Sequence, residues 1–477
     1  MSTGARRILA NTAYRLLADV GSKLASIAFY VVMARELGAK SFGVFTFGLA
    51  FVILATTLGN FGQDSVLTRE VARDRTLLDR YFFNTLALKT VISAFSLAAA
   101  YVAVTAVGVS GETRTVLLLL GPAVVLEILM KTCFAAFQAY ERLEFIPVAL
   151  VTQRTLTAAA GIVALLEGAG VVAVSAIYLG GAVVGFAIAL RLLLRRVVKP
   201  ALTIDVGRWW PLMKAAAAIG TASVFAVVLF RADMTMLAAF KPAAVVGHYG
   251  AAYRLLEATL FVSWSVGSAV YPVFSRLSPT SEPAVGFVFE RSLKLVVALT
   301  LPIAAGALVL ADPVVRLLYG SEYADAANAL RYLAPTIALY PVAYVAASLL
   351  VSQHRQRAMM IVYGIVAAEN ILANLVLIPW LSLDGAALGT SISQLLVSVA
   401  LMVFSQHAAG GIQWARVAGG PILATLAATA GMVALRADFA AAVLAGALVY
   451  LAVLFAFERM LFPDDARAVL DLLPRRA

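Results

Sequence analysis

Long apolar stretches recur along the whole chain, separated by short polar or charged segments. A helix needs about 20 mostly apolar residues to cross the hydrocarbon layer of a membrane, and these stretches have that length. The alternation that is typical of membrane-spanning strands is absent. The pattern therefore predicts an all-α polytopic membrane protein with about 14 transmembrane helices. The predicted spans are 11–36, 42–63, 82–107, 114–138, 144–166, 169–191, 209–238, 245–274, 291–311, 326–351, 358–380, 385–406, 417–435 and 439–458.

Lysine and arginine residues indicate how these spans are oriented, because membrane proteins carry an excess of both in short cytoplasmic loops. With a cytoplasmic N-terminus, 23 of these residues lie on the cytoplasmic side and 7 on the other. An odd number of spans would break this alternation, so the bias supports an even number. We therefore expect a multi-pass protein of the cell (cytoplasmic or inner) membrane with both termini in the cytoplasm.

A weak internal repeat relates the two halves of the pattern. Gly43 aligns with Gly247 and Phe45 with Tyr249, at an offset of 204 residues. The repeat predicts that spans 1–6 and 7–12 are two six-helix lobes arranged as parallel repeats, followed by a C-terminal helix pair. The expected boundaries are 1–191 for the N-terminal lobe, 192–208 for a cytoplasmic linker, 209–406 for the C-terminal lobe, 407–460 for the terminal helix hairpin and 461–477 for a cytoplasmic tail.

Two loop regions carry further expectations. In residues 64–81, Leu67, Val71 and Leu78 can share one face of a helix, which favours a short helix on the inner membrane surface. An ordinary charged loop explains the same residues equally well. On the opposite side of the membrane, the longest loop is expected at residues 312–325.

Composition narrows the class of protein. The chain is 62% hydrophobic and only 13% charged, which excludes both an ordinary soluble enzyme and a disordered chain. Most of the net charge of +11 is explained by loop cations, so it does not indicate a nucleic-acid partner. The single cysteine, Cys133, and three histidines provide no metal-ligand cluster, and we expect neither a metal nor another cofactor.

Three segments combine glycine and aromatic residues in apolar surroundings. They are ARELGAKSFGVFTFGLAFVILATTLGNFGQDSVLTREVAR (Ala34 to Arg73), RADMTMLAAFKPAAVVGHYGAAYRLLE (Arg231 to Glu257) and LYGSEYADAANALRYLAP (Leu318 to Pro335). In this order they resemble the first hairpin, the junction of the seventh and eighth spans, and the start of the tenth span of the Wzx-like polysaccharide flippases. Those flippases belong to the multidrug/oligosaccharidyl-lipid/polysaccharide (MOP) exporter superfamily.

The resemblance implies that the two six-helix lobes lie around a central cavity, which opens alternately to each side of the membrane. It implies a flippase that moves a polyprenyl-diphosphate-linked oligosaccharide, on undecaprenyl or a related carrier, to the outer leaflet for surface polysaccharide biosynthesis. Its implied partners are this lipid-linked glycan, membrane lipids and the polysaccharide polymerase or export machinery. The protein would then be a transporter and not an enzyme.

Ionisable residues inside the predicted spans are costly, so they should face a cavity or pair with one another. Helical spacing can pair Asp19 with Lys23, Glu127 with Lys131, and Arg254 with Glu257. Arg231 and Asp233 are only two residues apart, so at least one of them needs a partner on another helix or a ligand. The spans contain seven cations, Lys23, Lys89, Lys131, Arg154, Lys214, Arg231 and Arg254, and five anions, Asp19, Glu127, Asp233, Glu257 and Glu369.

The cationic excess would suit a diphosphate, since Arg offers phosphate a planar donor fork and Lys a compact charge. Our hypothesis is that Lys23, Arg231 and Arg254 bind the diphosphate, with Asp19, Asp233 and Glu257 as their charge partners. Lys131 and Arg154 are candidates for a track along which cargo enters from the cytoplasmic leaflet. Lys89 and Lys214 are expected to snorkel to the membrane interface.

Glu369 permits two interpretations. With Asn370 and Asn374, it can form hydrogen bonds between helices. Alternatively, a carboxylate in apolar surroundings can carry a proton, which makes Glu369 a candidate for ion coupling. In span 6, Gly181 and Gly185 form a face of small residues that predicts close helix packing.

Three competing classes remain. A drug or metabolite cation antiporter of the same superfamily should favour acidic cavity residues, which the cationic excess argues against. A membrane enzyme of lipid-linked glycan assembly would usually need a sizeable external loop, and the sequence contains no P-loop or nucleophile elbow. A purely structural membrane protein would be expected to have mutually compensated charges.

Overall fold

The computed structural model describes residues 3–277, 282–408 and 410–462, with side chains from residue 21 onward except at positions 22, 268, 282, 407 and 408. Within these ranges the chain is helical and has no strands, as the apolar pattern predicts. The helices are α1 (Thr3–Ala55), α2 (Gln63–Arg73), α3 (Leu78–Ala106), α4 (Gly111–Ala139), α5 (Phe145–Leu166), α6 (Val171–Leu192), α7 (Trp209–Phe240), α8 (Ala243–Thr259), α9 (Phe261–Leu277), α10 (Glu282–Val309), α11 (Ala311–Tyr319), α12 (Ala326–Ser352), α13 (Gln356–Leu381), α14 (Leu383–Ala408), α15 (Gly420–Ala434) and α16 (Phe439–Leu461).

Thirteen segments of the described chain are long and apolar enough to cross a membrane. One of them, Lys23–Ala55, belongs to α1, which holds the first predicted span and most of the second. Another, Ala243–Leu277, consists of α8 and α9 together. The thirteen segments agree with the expectation of about 14 transmembrane helices, and the chain is a multi-pass membrane protein.

Gly38 allows α1 to change direction between its two membrane-crossing parts. Its φ of 69° and ψ of 170° lie in a region of backbone conformation that is essentially restricted to glycine. The sequence pattern predicts a turn of several residues here, at 37–41. The structure instead breaks the helix at this single glycine, because the backbone freedom of Gly38 is sufficient for the change of direction.

The chain divides into two compact units, residues 1–251 and 252–477. The first unit contains α1 to α7 and the N-terminal half of α8. The second unit contains the remainder of α8 and the helices α9 to α16. The five domain boundaries drawn from the sequence stay a prediction.

The two glycines that the internal repeat aligns lie at one close crossing of α1 and α8. A Cβ atom at Gly43 would lie 1.8 Å from the carbonyl oxygen of Ala243. A Cβ atom at Gly247 would lie 2.0 Å from the carbonyl oxygen of Ala39. Both positions therefore require glycine, because any side chain would overlap the facing backbone.

Small residues also bring α5 and α6 together. A Cβ atom at Gly181 would lie 1.9 Å from the Oγ1 atom of Thr157, and one at Gly185 would lie 2.7 Å from the Oε1 atom of Gln153. The predicted close packing of this α6 face is confirmed, and it brings the Gln153 side chain into the interior of the first unit.

The segment 64–81 contains most of α2, which ends at Arg73, then a single 3-10 turn at Arg75–Leu77 and the first residues of α3, which begins at Leu78. Leu67 and Val71 are fully buried and belong to the same apolar core as Phe82 of α3. Of the two alternatives for this segment, the helix is confirmed for α2, and its position at the inner membrane surface stays a prediction. The apolar face of α2 fills a protein core between α3 and α4 instead of contacting lipid.

The connection between α6 and α7 is fixed to the N-terminal end of α3. The Oδ1 atom of Asp79 accepts a hydrogen bond from the backbone N–H of Ala201 at 2.7 Å. The Oδ1 atom of Asn84 accepts one from the backbone N–H of Asp205 at 2.8 Å. The second part of the predicted linker 192–208 is therefore bound to the first unit and is not a free tether.

In the second unit, the terminal helices α15 and α16 are attached to α10. The Nζ atom of Lys294 lies 2.5 Å from the Oε2 atom of Glu458, and both side chains are largely buried. The Tyr450 hydroxyl donates to the carbonyl oxygen of Ala298 at 2.6 Å. At the other end of α10, the short helix α11 occupies much of the loop expected at 312–325.

We predict that Gly247→Ala destabilises the protein, because the new Cβ atom overlaps the backbone of Ala39. Overpacking of this kind costs about 1–3 kcal/mol, so the melting temperature of the purified protein should fall. Gly180→Ala is the matched control, since nothing lies within 4 Å of a Cβ atom at that position. Equal melting temperatures for the two variants would contradict the close crossing.

Candidate functional site

Lys89 of α3 is fully buried and ion-paired. Its Nζ atom lies 2.6 Å from the Oδ2 atom of Asp64 and 3.2 Å from the Oδ1 atom of Asn60. The Oδ1 atom of Asp64 accepts a hydrogen bond from the Thr132 hydroxyl at 2.9 Å. The expectation that Lys89 snorkels is therefore wrong, because its counter-charge lies inside the protein. Lys214, the other residue expected to snorkel, is exposed.

Glu127 of α4 connects three helices. Its Oε1 atom accepts hydrogen bonds from the Nε2 atom of Gln153 on α5 at 2.9 Å and from the Tyr178 hydroxyl on α6 at 3.1 Å. Neutral donors thus hold this carboxylate. The direct pair with Lys131 that helical spacing suggested is not formed in the described part of the chain.

Lys131 and Arg154 flank this carboxylate, and both lie within electrostatic range of it. Lys131 is exposed and Arg154 is half-buried. Among the described residues, neither side chain has a hydrogen-bond or ion-pair partner. We call Glu127, Lys131, Gln153, Arg154 and Tyr178 the α4–α6 polar cluster. It contains two cations and one anion, so it has a net positive charge.

The two cations of the α4–α6 polar cluster lie at the same depth. Lys131 precedes the C-terminal end of α4 by eight residues, and Arg154 follows the N-terminal residue of α5 by nine. At 1.5 Å per residue, these positions are about 12 and 14 Å from helix ends that a short turn connects. An arginine and a lysine at the same depth can bind one phosphate together: the arginine donates two parallel hydrogen bonds, and the lysine supplies a compact positive charge.

Asp233 of α7 is fully buried and hydrogen-bonded. Its Oδ2 atom accepts from the Tyr249 hydroxyl on α8 at 2.5 Å. The expectation that Arg231 or Asp233 needs a partner on another helix is confirmed for Asp233. Lys23 and Arg231 are both half-buried, and both interact with other residues of the protein. Asp19 lies outside the residues whose side chains are described, so its pairing with Lys23 stays a prediction.

In the second unit, Arg254 and Glu257 form the ion pair that their spacing predicts. The Nη1 atom of Arg254 lies 2.6 Å from the Oε2 atom of Glu257, and both side chains are largely buried. The guanidinium group has further donors beyond this bond.

Glu369 belongs to a hydrogen-bonded chain between α13 and α14. The Ser393 hydroxyl lies 2.8 Å from the Oε2 atom of Glu369, to which it donates. The Nδ2 atom of Asn370 donates to Ser393 at 2.9 Å, and that of Asn374 donates to Asn370 at 3.0 Å. The predicted hydrogen bonds between helices are confirmed, and the ion-coupling role stays a prediction.

Sequence reasoning gave no role to Asp64, Gln153 or Tyr178. Asp64 begins the segment 64–81, for which the sequence leaves a surface helix and a loop equally open; it lies in the first turn of α2, where the helix dipole favours a carboxylate. Gln153 and Tyr178 are neutral, and a search for ionisable residues inside the predicted spans does not select them. No group of His, Cys, Asp and Glu side chains in the described ranges is arranged to hold a metal ion.

Comparison with protein families gives two matches. The family described as "Polysaccharide biosynthesis protein" matches residues 8–278, which is more than half of the chain. The family described as "MatE" matches residues 218–376. A curated relative, the probable low-salt glycan biosynthesis flippase Agl15 of Haloferax volcanii, is 26% identical over 162 residues. That match spans about a third of each protein, 34% of this chain and 34% of the relative.

Solved structures share the fold. The lipid II flippase MurJ in an inward closed conformation matches with a TM-score of 0.78 and 15% identity, over 94% of this chain and 99% of that chain. An inward-facing multidrug resistance MATE family transporter of the MOP superfamily matches with a TM-score of 0.67 and 14% identity, over 82% and 94%. A MOP superfamily transporter from Pyrococcus furiosus matches with a TM-score of 0.59 and 16% identity, over 83% and 94%.

We predict that Lys89→Met strongly destabilises the protein, because it leaves the Asp64 carboxylate without its counter-charge. Breaking a buried pair costs about 3–5 kcal/mol. The double variant Lys89→Met/Asp64→Asn should recover part of this loss, and Lys214→Met, at an exposed lysine, should change little. Thermal unfolding of the wild type, Lys89→Met, Asp64→Asn and the double variant measures the coupling, with Lys214→Met as a fifth, control protein. Strictly additive effects of the two substitutions would show that the pair is energetically unimportant.

Proposed function

This chain belongs to the polysaccharide biosynthesis protein family, and from that membership we propose that it is a flippase for lipid-linked glycans. In this proposal it moves a polyprenyl-diphosphate-linked oligosaccharide from the cytoplasmic to the outer leaflet of the cell membrane by alternating access. The glycan then serves surface polysaccharide biosynthesis. The similarity to a probable glycan biosynthesis flippase and the fold shared with a lipid II flippase support this assignment.

The observation that carries the proposal is the pair of cations in the α4–α6 polar cluster. Glu127 accepts hydrogen bonds from two neutral donors, so the carboxylate is held without a direct ion pair to either cation. A charged group at this depth in a membrane is costly unless it meets water or an opposite charge. A transported anion offers that charge, and a lipid-linked diphosphate is an anion that must cross the membrane.

We assign Lys131 and Arg154 to the track along which the diphosphate enters. Both are about 12–14 Å from the helix ends that our orientation places on the cytoplasmic side. This position is deeper than the lipid headgroups but short of the membrane centre. A diphosphate that leaves the headgroup region would reach these cations before it reaches the mid-plane.

We further assign diphosphate binding to Lys23 and Arg231 in the first unit and to Arg254 in the second. Asp233 and Glu257 act as charge partners that fix the local geometry, and Asp19 is assigned the same role beside Lys23. Arg254 forms an ion pair with Glu257, and the planar donor fork of an arginine is suited to phosphate oxygens. The substrate and membrane lipids are the expected partners, with a polysaccharide polymerase or export machinery to receive the product.

Ion coupling is assigned to Glu369. A carboxylate held by a serine hydroxyl within a chain of polar side chains can exchange a proton or a cation while α13 and α14 stay packed. We predict that Glu369→Gln lowers transport driven by an imposed ion gradient but keeps the protein folded, since glutamine preserves the hydrogen bond from Ser393. Transport into proteoliposomes with and without a gradient measures this. Unchanged gradient-dependent transport would remove Glu369 from the mechanism.

A cation antiporter is the second candidate function, because the MatE family matches residues 218–376. Such a protein would extrude cationic drugs or metabolites and would leave surface glycans untouched. Deletion of the gene separates the two functions. Accumulation of lipid-linked oligosaccharide with loss of surface glycan supports the flippase, whereas normal glycans with greater drug sensitivity support the antiporter.

We predict that charge reversal at the assigned cations blocks complementation of the deletion strain. Lys131→Glu, Arg154→Glu, Lys23→Glu, Arg231→Glu and Arg254→Glu should each lower glycan export at least about tenfold, because each places a repulsive charge before the diphosphate. Lys40→Glu, which makes the same charge change at an exposed position, should restore export fully. Full export by all five variants at normal protein levels would refute the cation sites.

A further inference from the structure

Four aromatic side chains form a cluster in the second unit. They are Trp264 on α9, Tyr340 and Tyr344 on α12, and Tyr363 on α13, and we call them the aromatic cluster. The rings of Tyr340 and Tyr344 have centroids 6.0 Å apart, and the indole N–H of Trp264 lies 3.4 Å from the Tyr340 hydroxyl. Tyr363 interacts electrostatically with both tyrosines on α12.

The aromatic cluster lies deep in the membrane-spanning region. Trp264 and Tyr340 are 13 and 12 residues from the C-terminal ends of α9 and α12. Tyr344 is eight residues from the end of α12, and Tyr363 is seven from the start of α13. At 1.5 Å per residue, these depths are about 10 to 20 Å. The interfacial belts where Trp and Tyr usually lie are at the membrane surfaces, so these positions need another explanation.

The phenol hydroxyls indicate what the aromatic cluster faces. Among the described residues, no side chain or backbone group forms a hydrogen bond with the hydroxyl of Tyr344 or Tyr363. Neither hydroxyl is a fully buried atom that lacks a partner, so both reach accessible space. Lipid chains cannot satisfy a hydroxyl, and leaving it unpaired in hydrocarbon costs free energy. The hydroxyls of Tyr344 and Tyr363 therefore favour a polar partner, which a ligand with hydroxyl groups can supply.

Packing holds the aromatic rings in place. A Cβ atom at Gly267 would lie 2.2 Å from the Cε1 atom of Tyr344, so the tyrosine ring rests directly on the α9 backbone. Ser263, one turn earlier on the same face of α9, is fully buried, and the described residues give its hydroxyl no hydrogen-bond partner. The indole of Trp264, in contrast, is 48% exposed. The cluster combines fixed aromatic surfaces with unsatisfied hydroxyl groups.

We propose that the aromatic cluster binds a sugar ring of the cargo. A pyranose presents an apolar C–H face that stacks on an aromatic ring, and its hydroxyls can bond to the phenols of Tyr344 and Tyr363. An alkyl chain could pack on the aromatic rings but could not form hydrogen bonds with the hydroxyls. A phosphate could accept hydrogen bonds from the hydroxyls but would not stack on the rings. This proposal rests on the proposed function, since it assigns the sugar of the same lipid-linked cargo to a place in the second unit.

Two lipids that differ by one sugar test the proposal. The purified protein in nanodiscs is titrated with undecaprenyl diphosphate and with undecaprenyl-diphosphate-N-acetylglucosamine, and the ratio of the two Kd values is measured. We expect the wild type to bind the sugar-bearing lipid about fivefold more tightly, the effect of one good ring contact. Trp264→Ala and Tyr344→Ala should bring this ratio close to one and leave the Kd of undecaprenyl diphosphate unchanged.

Matched variants separate recognition from damage to the fold. Trp264→Phe keeps an aromatic surface and should keep most of the preference, and Trp380→Ala, at a tryptophan that is 86% exposed on α13, should keep all of it. The proposal would be overturned if both alanine variants kept the preference for the sugar-bearing lipid. It would also be overturned if they lost affinity for both lipids by the same factor. Wild-type binding of undecaprenyl diphosphate without sugar preference would overturn this inference alone. Failure to bind either lipid would overturn the proposed function as well.

Discussion

A charged or polar group in hydrocarbon has to find its partner inside the protein, because the lipid offers none. The pair of Lys89 and Asp64 shows this constraint at its strictest, since the ammonium group is fully enclosed and Asp64 is fixed in turn by Thr132. The same requirement joins Glu127 to two neighbouring helices and Asp233 to Tyr249. Within the first unit, these bonds join helices that lie side by side.

Some polar side chains in the membrane-spanning region are not explained by pairing within the protein, and for these a role in binding the cargo is the better explanation. The Lys89–Asp64 pair is an engaged buried pair that packing alone explains. Lys131 and Arg154 are different, because the nearby carboxylate is already held by neutral donors. The tyrosine hydroxyls of the aromatic cluster differ in the same way, since lipid cannot satisfy them. The diphosphate of a lipid-linked glycan would bind the two cations, and its sugar would bind the tyrosine hydroxyls of the aromatic cluster.

The sequence predicts the number and order of the helices well, because membrane thickness imposes a length that is visible in hydropathy. It also predicts the Arg254–Glu257 pair and the packing face of Gly181, since both follow from the geometry of one helix. Lys89 was misjudged because its partner, Asp64, lies on a different helix in a segment that was expected to be a surface helix or a loop. The sequence aligned Gly43 with Gly247 as equivalent positions, but no periodicity could show that the two glycines lie at the same crossing.

The distance along the chain between ionic partners has a consequence for biosynthesis. Asp64 precedes Lys89 by 25 residues, so the counter-charge has already been synthesised when α3 enters the membrane. Lys294 is separated from Glu458 by 164 residues, and α10 is therefore inserted long before its partner exists. During this interval Lys294 lacks the Glu458 carboxylate, so α16 can be attached to α10 through this ion pair only after the last membrane helix has been synthesised. A chain that ends before α16 never forms the pair, and truncation there removes a contact that joins the end of the second unit to one of its earlier helices.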